Sequence, residues 1–279
     1  MNIENWEITN KKSNVLSKIL EVWNSKDLLF VFVKRDLTTF YKQTLLGPIW
    51  FVIQPILSTL VFMFAFGKIA GLQTNDIPKP LYYFSGIILW NYFSDCFIKT
   101  STVFKDNLNL YSKVYFPRLI LPLNIILGNL TRFFIQLCVL ICISIYYKFQ
   151  SIIPGIQIQI LLFPFLFILI ALFSLGLGLI ITSLTTRYRD LSLLINFSVQ
   201  LLLFSTTAAL PMPANDSIYK EIILLNPMTN YIEAFRILII GKGYFSYSSF
   251  GVSIILTTII LLIGLNLFFK VERNFVDTI

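Results

Sequence analysis

Residues 156–183 read IQIQILLFPFLFILIALFSLGLGLIITS and contain no charged residue. A helix needs roughly 20 mainly apolar residues to cross a hydrocarbon core about 30 Å thick, so this stretch predicts a transmembrane helix. Similar stretches recur along the chain, which is therefore expected to be an all-α integral membrane protein with a cytoplasmic segment at residues 1–48 and a membrane domain at residues 49–279. We predict six spans, near residues 49–70, 81–98, 119–147, 156–183, 191–211 and 250–270.

The composition agrees with a membrane location. Hydrophobic residues make up 56% of the 279 residues, whereas soluble domains are about 45–50% apolar. The residues Cys96, Cys138 and Cys142 lie inside apolar segments, where a thiol behaves as a small hydrophobe. We therefore expect neither a disulfide nor a metal site.

The formal net charge of +8 fits either nucleic-acid binding or a membrane-orientation signal. Loops on one side of the predicted spans carry about three times as many Lys and Arg residues as loops on the other side. By the positive-inside rule, both termini should lie in the cytoplasm. The distribution favours orientation in the membrane, and nucleic acid is not an expected partner.

Residues needed for hydrolytic chemistry are missing from the sequence. It contains no histidine, which is the commonest general base and metal ligand. It also lacks the GxxxxGK[ST] phosphate loop, because the pairs Gly67-Lys68 and Gly241-Lys242 have neither the upstream glycine nor the following hydroxyl residue. We predict that this chain is not an enzyme and binds no cofactor, so that any nucleotide hydrolysis belongs to a separate polypeptide.

Residues 26–42 read KDLLFVFVKRDLTTFYK, with apolar residues at helical spacing and charged residues opposite. This pattern is typical of an amphipathic helix in the membrane interface. It is either a membrane anchor alone or an anchor whose polar face also docks a cytoplasmic partner. The loops at 100–117 and 185–191 are the other substantial surfaces on the predicted cytoplasmic side, and such a partner could also bind there. At the end of span two, Asp95 and Lys99 are spaced for a local i,i+4 pair.

Span three carries Asn124, Gly128, Arg132 and Gln136 at four-residue intervals, which places them on one helix face. An arginine in mid-membrane costs about 2.5–3.5 kcal/mol on insertion scales, so this face should contact protein or water rather than lipid. Two functions remain open: hydrogen bonding between helices, and lining a route for a polar substrate.

The outer loop between spans five and six contains two apolar segments, 217–225 and 228–240, separated by Asn226-Pro227. Each segment is too short to cross a bilayer. We predict a re-entrant helical hairpin from the outer side, because non-helical backbone at membrane depth is tolerated only where protein or a cavity surrounds it. An ordinary surface hairpin is the alternative. Glu233 and Arg236 are spaced to form a pair.

Six spans without an internal repeat make an incomplete secondary transporter, because transporters of that kind build their pathway between duplicated halves. A homodimer with a pathway on its two-fold axis would supply the second half. The sequence shows no buried carboxylate cluster for proton coupling. The energy for transport is therefore expected to arrive through the cytoplasmic loops.

A set of motifs in the same order resembles the permeases of ABC-2 exporters that carry polysaccharides such as O-antigen. After Arg35-Asp36, they are FYKQTLLGPIWFVIQPILSTLVFMFAFGKI at 40–69, SGIILWNYFS at 85–94, FPRLILPL at 116–123, RYRDL at 187–191, LNPMTNYIEAFR at 225–236 and the tail FKVERNFVDTI at 269–279. Phe40 stands where the family usually has an arginine, so contacts of that side chain are not carried over.

The resemblance implies a homodimer in the bacterial inner membrane, bound to two copies of a separate ATPase that holds ATP and Mg²⁺, and exporting a lipid-linked polysaccharide. It implies that residues 26–42 form the interface helix on the ATPase, residues 103–115 its coupling helix and residues 217–240 the outer re-entrant helices. The expected coupling residues are Lys34, Arg35, Asp36, Lys105, Asp106, Lys113, Arg187 and Arg189. The expected pathway residues are Tyr41, Gly47, Trp50, Trp90, Asn124, Arg132 and Gln136, and those of the hairpin are Asn226, Pro227, Tyr231, Glu233 and Arg236.

Aromatic residues, 16% of the chain, suit a sugar conduit because flat rings pack on sugar C–H faces. They also collect at membrane interfaces, so the aromatic residues of span two, Tyr82, Tyr83, Trp90, Tyr92 and Phe93, fit either function. Rival functions are a teichoic-acid or capsule exporter and, in a different class, an intramembrane enzyme acting on lipid-linked sugars. A surplus of basic residues along the axis would favour teichoic acid.

Overall fold

The computed structural model describes residues 15–43, 47–107, 110, 116–155, 158–188, 190–213 and 218–275, and within these ranges it contains helices and no strand. Short 3₁₀ turns precede two helices, at Gly47–Ile49 and Ile158–Leu162, and a π-helix, Met63–Ile69, continues α3. The α-helices are α1 (Val15–Asn24), α2 (Lys26–Gln43), α3 (Trp50–Phe62), α4 (Lys79–Ser101), α5 (Val103–Asp106), α6 (Ile120–Phe149), α7 (Phe163–Thr185), α8 (Leu191–Phe204), α9 (Ile218–Leu225), α10 (Pro227–Ile240) and α11 (Tyr247–Phe275).

Four helical segments within the described ranges are long and apolar enough to cross a bilayer: Trp50–Ile69, Ile120–Phe149, Ile158–Thr185 and Tyr247–Glu272. Their bounds lie within three residues of predicted spans one, three, four and six. A fifth span is present if the bent pair α9 and α10 counts as one. The chain is thus a multi-pass membrane protein, and the count of six spans stays a prediction.

The predicted spans two and five differ from the other four. Helix α4 is 23 residues long, yet its many polar and aromatic side chains make it less apolar than the four segments named above. Helix α8 has 14 residues and is about 21 Å long at 1.5 Å per residue, which is shorter than a hydrocarbon core. The predicted segment 191–211 therefore ends as a helix at Phe204, and the buried residues Thr206 to Ala209 follow it as a turn.

Helix α4 is the centre of the bundle, and most of its side chains are buried against α3, α6, α7, α8 and α10. Small residues let α7 approach its neighbours closely. A Cβ added at Gly178 would lie 2.5 Å from Thr100 of α4, and one added at Gly264 of α11 would lie 2.5 Å from the Gly176 carbonyl oxygen. Helix α4 is therefore positioned by contacts with protein rather than with lipid.

Helices α9 and α10 meet at Asn226 with an angle of 88°, so they form a right-angled pair rather than an antiparallel hairpin. All but one of the 14 residues of α10 are buried, whereas Ile218, Tyr219 and Ile222 of α9 are exposed. Burial on this scale excludes the surface-hairpin alternative for α10. Re-entry into a membrane stays a prediction.

Candidate functional site

The polar face of α6 is held by hydrogen bonds between helices. Arg132 forms an ion pair with Asp95 of α4, and its Nη2 donates to Gln54 Oε1 of α3 at 2.7 Å. Gln136 Nε2 donates to the Phe51 carbonyl oxygen of α3 at 2.9 Å. Pairing and hydrogen bonding offset the cost of a guanidinium at membrane depth. Interhelical bonding is therefore the arrangement in the structure, while a function in a polar route stays a prediction.

The N-terminal end of the same α6 face contacts α2, which spans the predicted interface helix. Asn124 Nδ2 donates to Asp36 Oδ2 at 2.6 Å, and Arg35 Nη2 lies 2.7 Å from Asp36 Oδ1. One turn earlier on α2, the ring of Phe32 contacts the ring of Phe116 edge-on, with 5.8 Å between the ring centroids. A charge-assisted hydrogen bond and an aromatic contact thus join α2 to the bundle.

A cavity of about 170 Å³ lies between α2, α3, α4 and α6. Its lining includes Asp36, Lys99, Asn124, Gly128 and Arg132. A Cβ added at Gly128 would meet no heavy atom within 4 Å, because that glycine faces this open space. The cavity gathers polar and charged groups from elements that are far apart in the sequence.

The expected pair between Asp95 and Lys99 is wrong. Asp95 is paired with Arg132, and Lys99 Nζ donates to Asn129 Oδ1 of α6 at 3.1 Å. A local i,i+4 pair contributes only about 0.2–0.5 kcal/mol, so a guanidinium delivered by a packed neighbouring helix displaces it. No sequence pattern indicated Asn129 or Gln54 as partners, because only the packing of the helices brings them near.

A second polar cluster surrounds Arg236, whose side chain is 0% exposed. Its Nη1 lies 2.5 Å from Glu233 Oε1, so the expected pair forms. Its Nη2 donates to the carbonyl oxygens of Thr207 at 2.7 Å and Tyr82 at 3.0 Å, and its Nε donates to Ser85 Oγ at 3.3 Å. The guanidinium also lies 3.6 Å from the centroid of the Tyr82 ring. This cluster locks α10 to α4 and to the turn after α8.

The other predicted hairpin residues fix the same helix. Asn226 caps α10, because its Oδ1 accepts a 3.0 Å hydrogen bond from the Met228 backbone N–H, and Pro227 occupies the first turn. Tyr231 Oη lies 2.6 Å from Thr257 Oγ1 of α11. The predicted residues of this segment are thus brought together as packing and capping groups.

The predicted ATPase-coupling residues that the structure describes lie at the surface. Lys105 Nζ donates to Ser192 Oγ at 3.2 Å, and Asp106 Oδ2 accepts from Thr102 Oγ1 at 2.6 Å. Arg187 lies 5.4 Å from the Tyr188 ring centroid. The exposed members are Lys34, Arg35, Asp36, Lys105, Asp106 and Arg187. Of the predicted coupling helix 103–115, α5 is described, whereas Lys113 and also Arg189 lie outside the described residues.

The expected pathway residues outside α6 do not gather into one described site. Gly47 has a left-handed φ of +52°, a conformation that glycine adopts without strain. Trp50 is 45% exposed, and Trp90 is buried with its ring 5.3 Å from that of Phe93. The Tyr41 side chain lies outside the described residues. The five aromatic residues singled out in span two are all buried, so they are packing residues rather than an interfacial belt.

Sequence reasoning missed a contact between the first and last described helices. Lys18 of α1 forms an ion pair with Glu272 of α11, and its ammonium lies 4.7 Å from the Phe269 ring centroid. Arg118 Nη1 donates to the Glu272 carbonyl oxygen at 2.9 Å. No local pattern reveals partners 254 residues apart. The contact brings both described ends of the chain to the same side of the bundle.

Within the described ranges, no group of three or more His, Cys, Asp or Glu side chains lies close enough to hold a metal ion. Cys96 is buried, Cys138 and Cys142 are exposed, and all three thiols are free. The polar groups that the fold gathers instead suit hydrogen bonding and charge pairing.

Comparisons with known proteins show which family the chain resembles. The O-antigen export system permease protein RfbA of Myxococcus xanthus is 25% identical over 221 residues, which cover 78% of this chain and 82% of that protein. RfbA of Klebsiella pneumoniae is 24% identical over an alignment that covers 90% of this chain and 94% of that protein. The polysialic acid transport protein KpsM of Escherichia coli is 24% identical over an alignment that covers 84% of this chain and 89% of that protein. Residues 27–240 match the ABC-2 type transporter family. The chain therefore belongs to the ABC-2 type transporter family.

Proposed function

We propose that this chain is the transmembrane permease subunit of an ATP-driven exporter, which moves a lipid-linked polysaccharide from the cytoplasm across the bacterial inner membrane. The similarity to two O-antigen export permeases over most of the chain carries the proposal. The similar region includes α2, the polar face of α6 and the α9–α10 pair. The family is one of transport permeases, which argues against the rival function of an intramembrane enzyme.

A separate ATPase, present in two copies, would supply the energy and hold ATP and Mg²⁺. Its docking surface would be the exposed basic residues Lys34, Arg35, Lys105 and Arg187. Their excess on this side supports a cytoplasmic location for both termini by the positive-inside rule. The contact of Lys18 with Glu272 agrees with a common side for the two ends.

We propose six spans, with α4 as span two and α8 as span five. The polar side chains of α4 are tolerated because other helices bury them. The buried turn after Phe204 extends α8 towards the outer surface, so the 14-residue helix need not reach across alone. The α9–α10 pair would enter from the outer side, since buried protein contacts surround the bend at Asn226.

A homodimer would enclose the export route. One copy leaves apolar faces exposed on α3 and α8, including Leu57, Leu60, Leu193, Leu194 and Phe197. Lipid or a second copy must cover these faces in a membrane. A two-fold dimer would use the same patch twice and would supply the second half of a pathway that a chain without an internal repeat lacks.

Movement of the ATPase would reach the membrane helices through α2. The bond between Asp36 and Asn124 connects α2 to α6, and Arg132 connects α6 to α3 and α4. Closure of the ATPase dimer on ATP would pull α2 and shift α6 against these neighbours. The shift would open the axial route while the Arg236 cluster holds the outer helix α10 in place.

The capsule polymer is the second candidate substrate, because a polysialic acid transport protein is among the relatives. A teichoic-acid substrate has less support. Arg132 is the basic residue among the predicted pathway residues, and the structure pairs it with Asp95. Arg132 therefore offers no unbalanced charge to a phosphate-rich polymer.

A deletion of the gene in its native bacterium tests the proposal. The cell-surface polysaccharide should disappear and lipid-linked polymer should accumulate in the cytoplasm, with both effects reversed by the wild-type gene. Electron microscopy and fractionation with anti-polysaccharide serum measure the location of the polymer. Unchanged surface polymer in the deletion strain would refute the function.

A further inference from the structure

We infer that the cavity between α2, α3, α4 and α6 binds the phosphate-bearing head group of a membrane lipid, with Lys99 as the cationic ligand. The inference deepens the proposed function and rests on it for the statement that this lipid carries the exported polymer. The binding site itself is argued from the side chains that line the cavity.

Lys99 provides a positive charge that the protein does not neutralise. Within the described ranges, no carboxylate lies within 4.0 Å of its ammonium. The nearby Asp95 is occupied by Arg132. The ammonium has three N–H donors and gives one to Asn129 Oδ1, so donors remain for another acceptor. Lys99 lies just past the predicted span 81–98 and points its charge into the open cavity, so the partner that fits these donors is an anion.

The carboxylate of Asp36 also lines the cavity and would repel an anion. Its charge is already engaged, because Arg35 Nη2 lies 2.7 Å away and Asn124 Nδ2 donates to it at 2.6 Å. Arg132 also lines the cavity. The lining with its paired partners therefore keeps a net positive charge, which resides on Lys99.

Two further groups in the lining lack partners. Asn124 Oδ1 and Arg132 Nε are buried and have no hydrogen-bond partner among the described residues. Since Asn124 uses its amide nitrogen to bind Asp36, its oxygen is the free acceptor and fits a hydroxyl group. The volume of about 170 Å³ is far above the roughly 10–15 Å³ that one water needs. A phosphate next to a hydroxylated sugar matches this set of donors and acceptors.

The surroundings favour a lipid over a free phosphate ion. The cavity is open, because Asp36 and Lys99 are exposed residues in its lining. Phe51 and Leu37 line it as well, and Trp50, which precedes Phe51 on α3, is 45% exposed. An apolar tail would lie along this α3 surface, and its burial would add affinity that an inorganic ion cannot gain.

Binding of farnesyl pyrophosphate, a short lipid diphosphate, to the purified full chain in micelles of dodecyl maltoside, a detergent without phosphate, tests the inference by isothermal titration calorimetry. Lys99→Gln keeps a donor for Asn129 and removes the charge, and it should weaken binding at least about tenfold, the loss expected for a hydrogen bond to a charged group. Gly128→Val places a side chain in the cavity at a position where an added Cβ meets no neighbouring atom within 4 Å, and it should also weaken binding at least about tenfold because it occupies the space of the head group.

The matched controls are Lys270→Gln and Gly251→Val. Lys270 is an exposed lysine of α11, and Gly251 is a helical glycine that also faces open space. Both should bind like wild type, and the thermal stability of all four variants should match it. Farnesol and inorganic pyrophosphate should each bind at least about tenfold more weakly than farnesyl pyrophosphate.

Wild-type affinity in both Lys99→Gln and Gly128→Val would overturn the inference. Inorganic pyrophosphate binding as tightly as farnesyl pyrophosphate would overturn the assignment to a lipid. The failure of the proposed function is seen separately, as unchanged surface polysaccharide in the gene-deletion strain. Binding on the purified chain and export in cells are thus independent readouts.

Discussion

Asp36 and Asn124 are 88 residues apart in the sequence and share a hydrogen bond of 2.6 Å between Oδ2 and Nδ2. Asp36 lies on α2, which we propose as the docking helix for the ATPase, and Asn124 begins the polar face of α6. The bond therefore connects the proposed docking helix with a helix long and apolar enough to cross a membrane. Its removal tests whether movement is transmitted along this route.

Asp36→Ala should lower polysaccharide export about tenfold or more while the amount of inserted protein stays unchanged. A hydrogen bond to a charged group contributes about 1.5–3 kcal/mol, so its loss weakens the contact without unfolding the bundle. Export by complemented deletion cells and membrane content by immunoblot measure the two effects. Asp27→Ala, an exposed carboxylate of the same helix, is the control and should export normally. Equal export in both variants would contradict transmission through this bond.

Charge reversal on the proposed docking surface should separate the permease from its ATPase. Arg35→Glu combined with Lys105→Glu should reduce copurification of the ATPase at least about tenfold, because each reversal places like charges across the contact. Lys68→Glu, on the outer side of the predicted topology, should leave copurification at the wild-type level. Undiminished copurification in the double variant would remove these residues from the docking surface.

The Arg132–Asp95 pair should show strong coupling in a double-mutant cycle. Arg132→Leu leaves the partly exposed Asp95 carboxylate without its partner and should cost about 1–3 kcal/mol, and Asp95→Leu should cost a similar amount. The double variant should be more stable than either single variant, because no charge is left unpaired. Reversible unfolding in detergent measures the three free energies. Additive losses would show that the two side chains do not stabilise each other.

Arg236 should be the least replaceable residue of α10. Arg236→Leu should lower the melting temperature of the purified protein sharply, because Glu233 and the carbonyl oxygens of Tyr82 and Thr207 would be left buried without their donor. Arg236→Lys should also fail, since an ammonium cannot reproduce the guanidinium stacking on Tyr82 or its fork of donors. Lys68→Leu is the control at an exposed cation. A melting temperature near wild type for Arg236→Leu would contradict the proposed locking of α10.

The length of the apolar segments was sufficient to predict four spans from the sequence. Segment 156–183 has no charge to interrupt it, and the structure has Ile158–Thr185. The segment 191–211 was less predictable, because apolar residues continue past the point where the helix ends at Phe204. Composition does not reveal that Thr206 and Thr207 are buried in a turn.

Side-chain partners were less predictable than helices. The three-residue spacing of Glu233 and Arg236 identified a local pair, and the structure contains it. The equally local spacing of Asp95 and Lys99 was misleading, because Arg132 arrives from another helix. The pairing of α1 with α11 had no local sign. Contacts of this kind depend on how helices pack, and one sequence records packing only indirectly.

The central claim is that this chain exports polysaccharide with energy from a separate ATPase. Its most direct test is the reconstitution of the chain with that ATPase in liposomes, followed by measurement of polymer transport into the lumen. The account predicts transport that requires ATP and stops when the catalytic glutamate of the ATPase is replaced by glutamine. Transport at the same rate without ATP, or none with a fully active ATPase and lipid-linked polymer present, would contradict it.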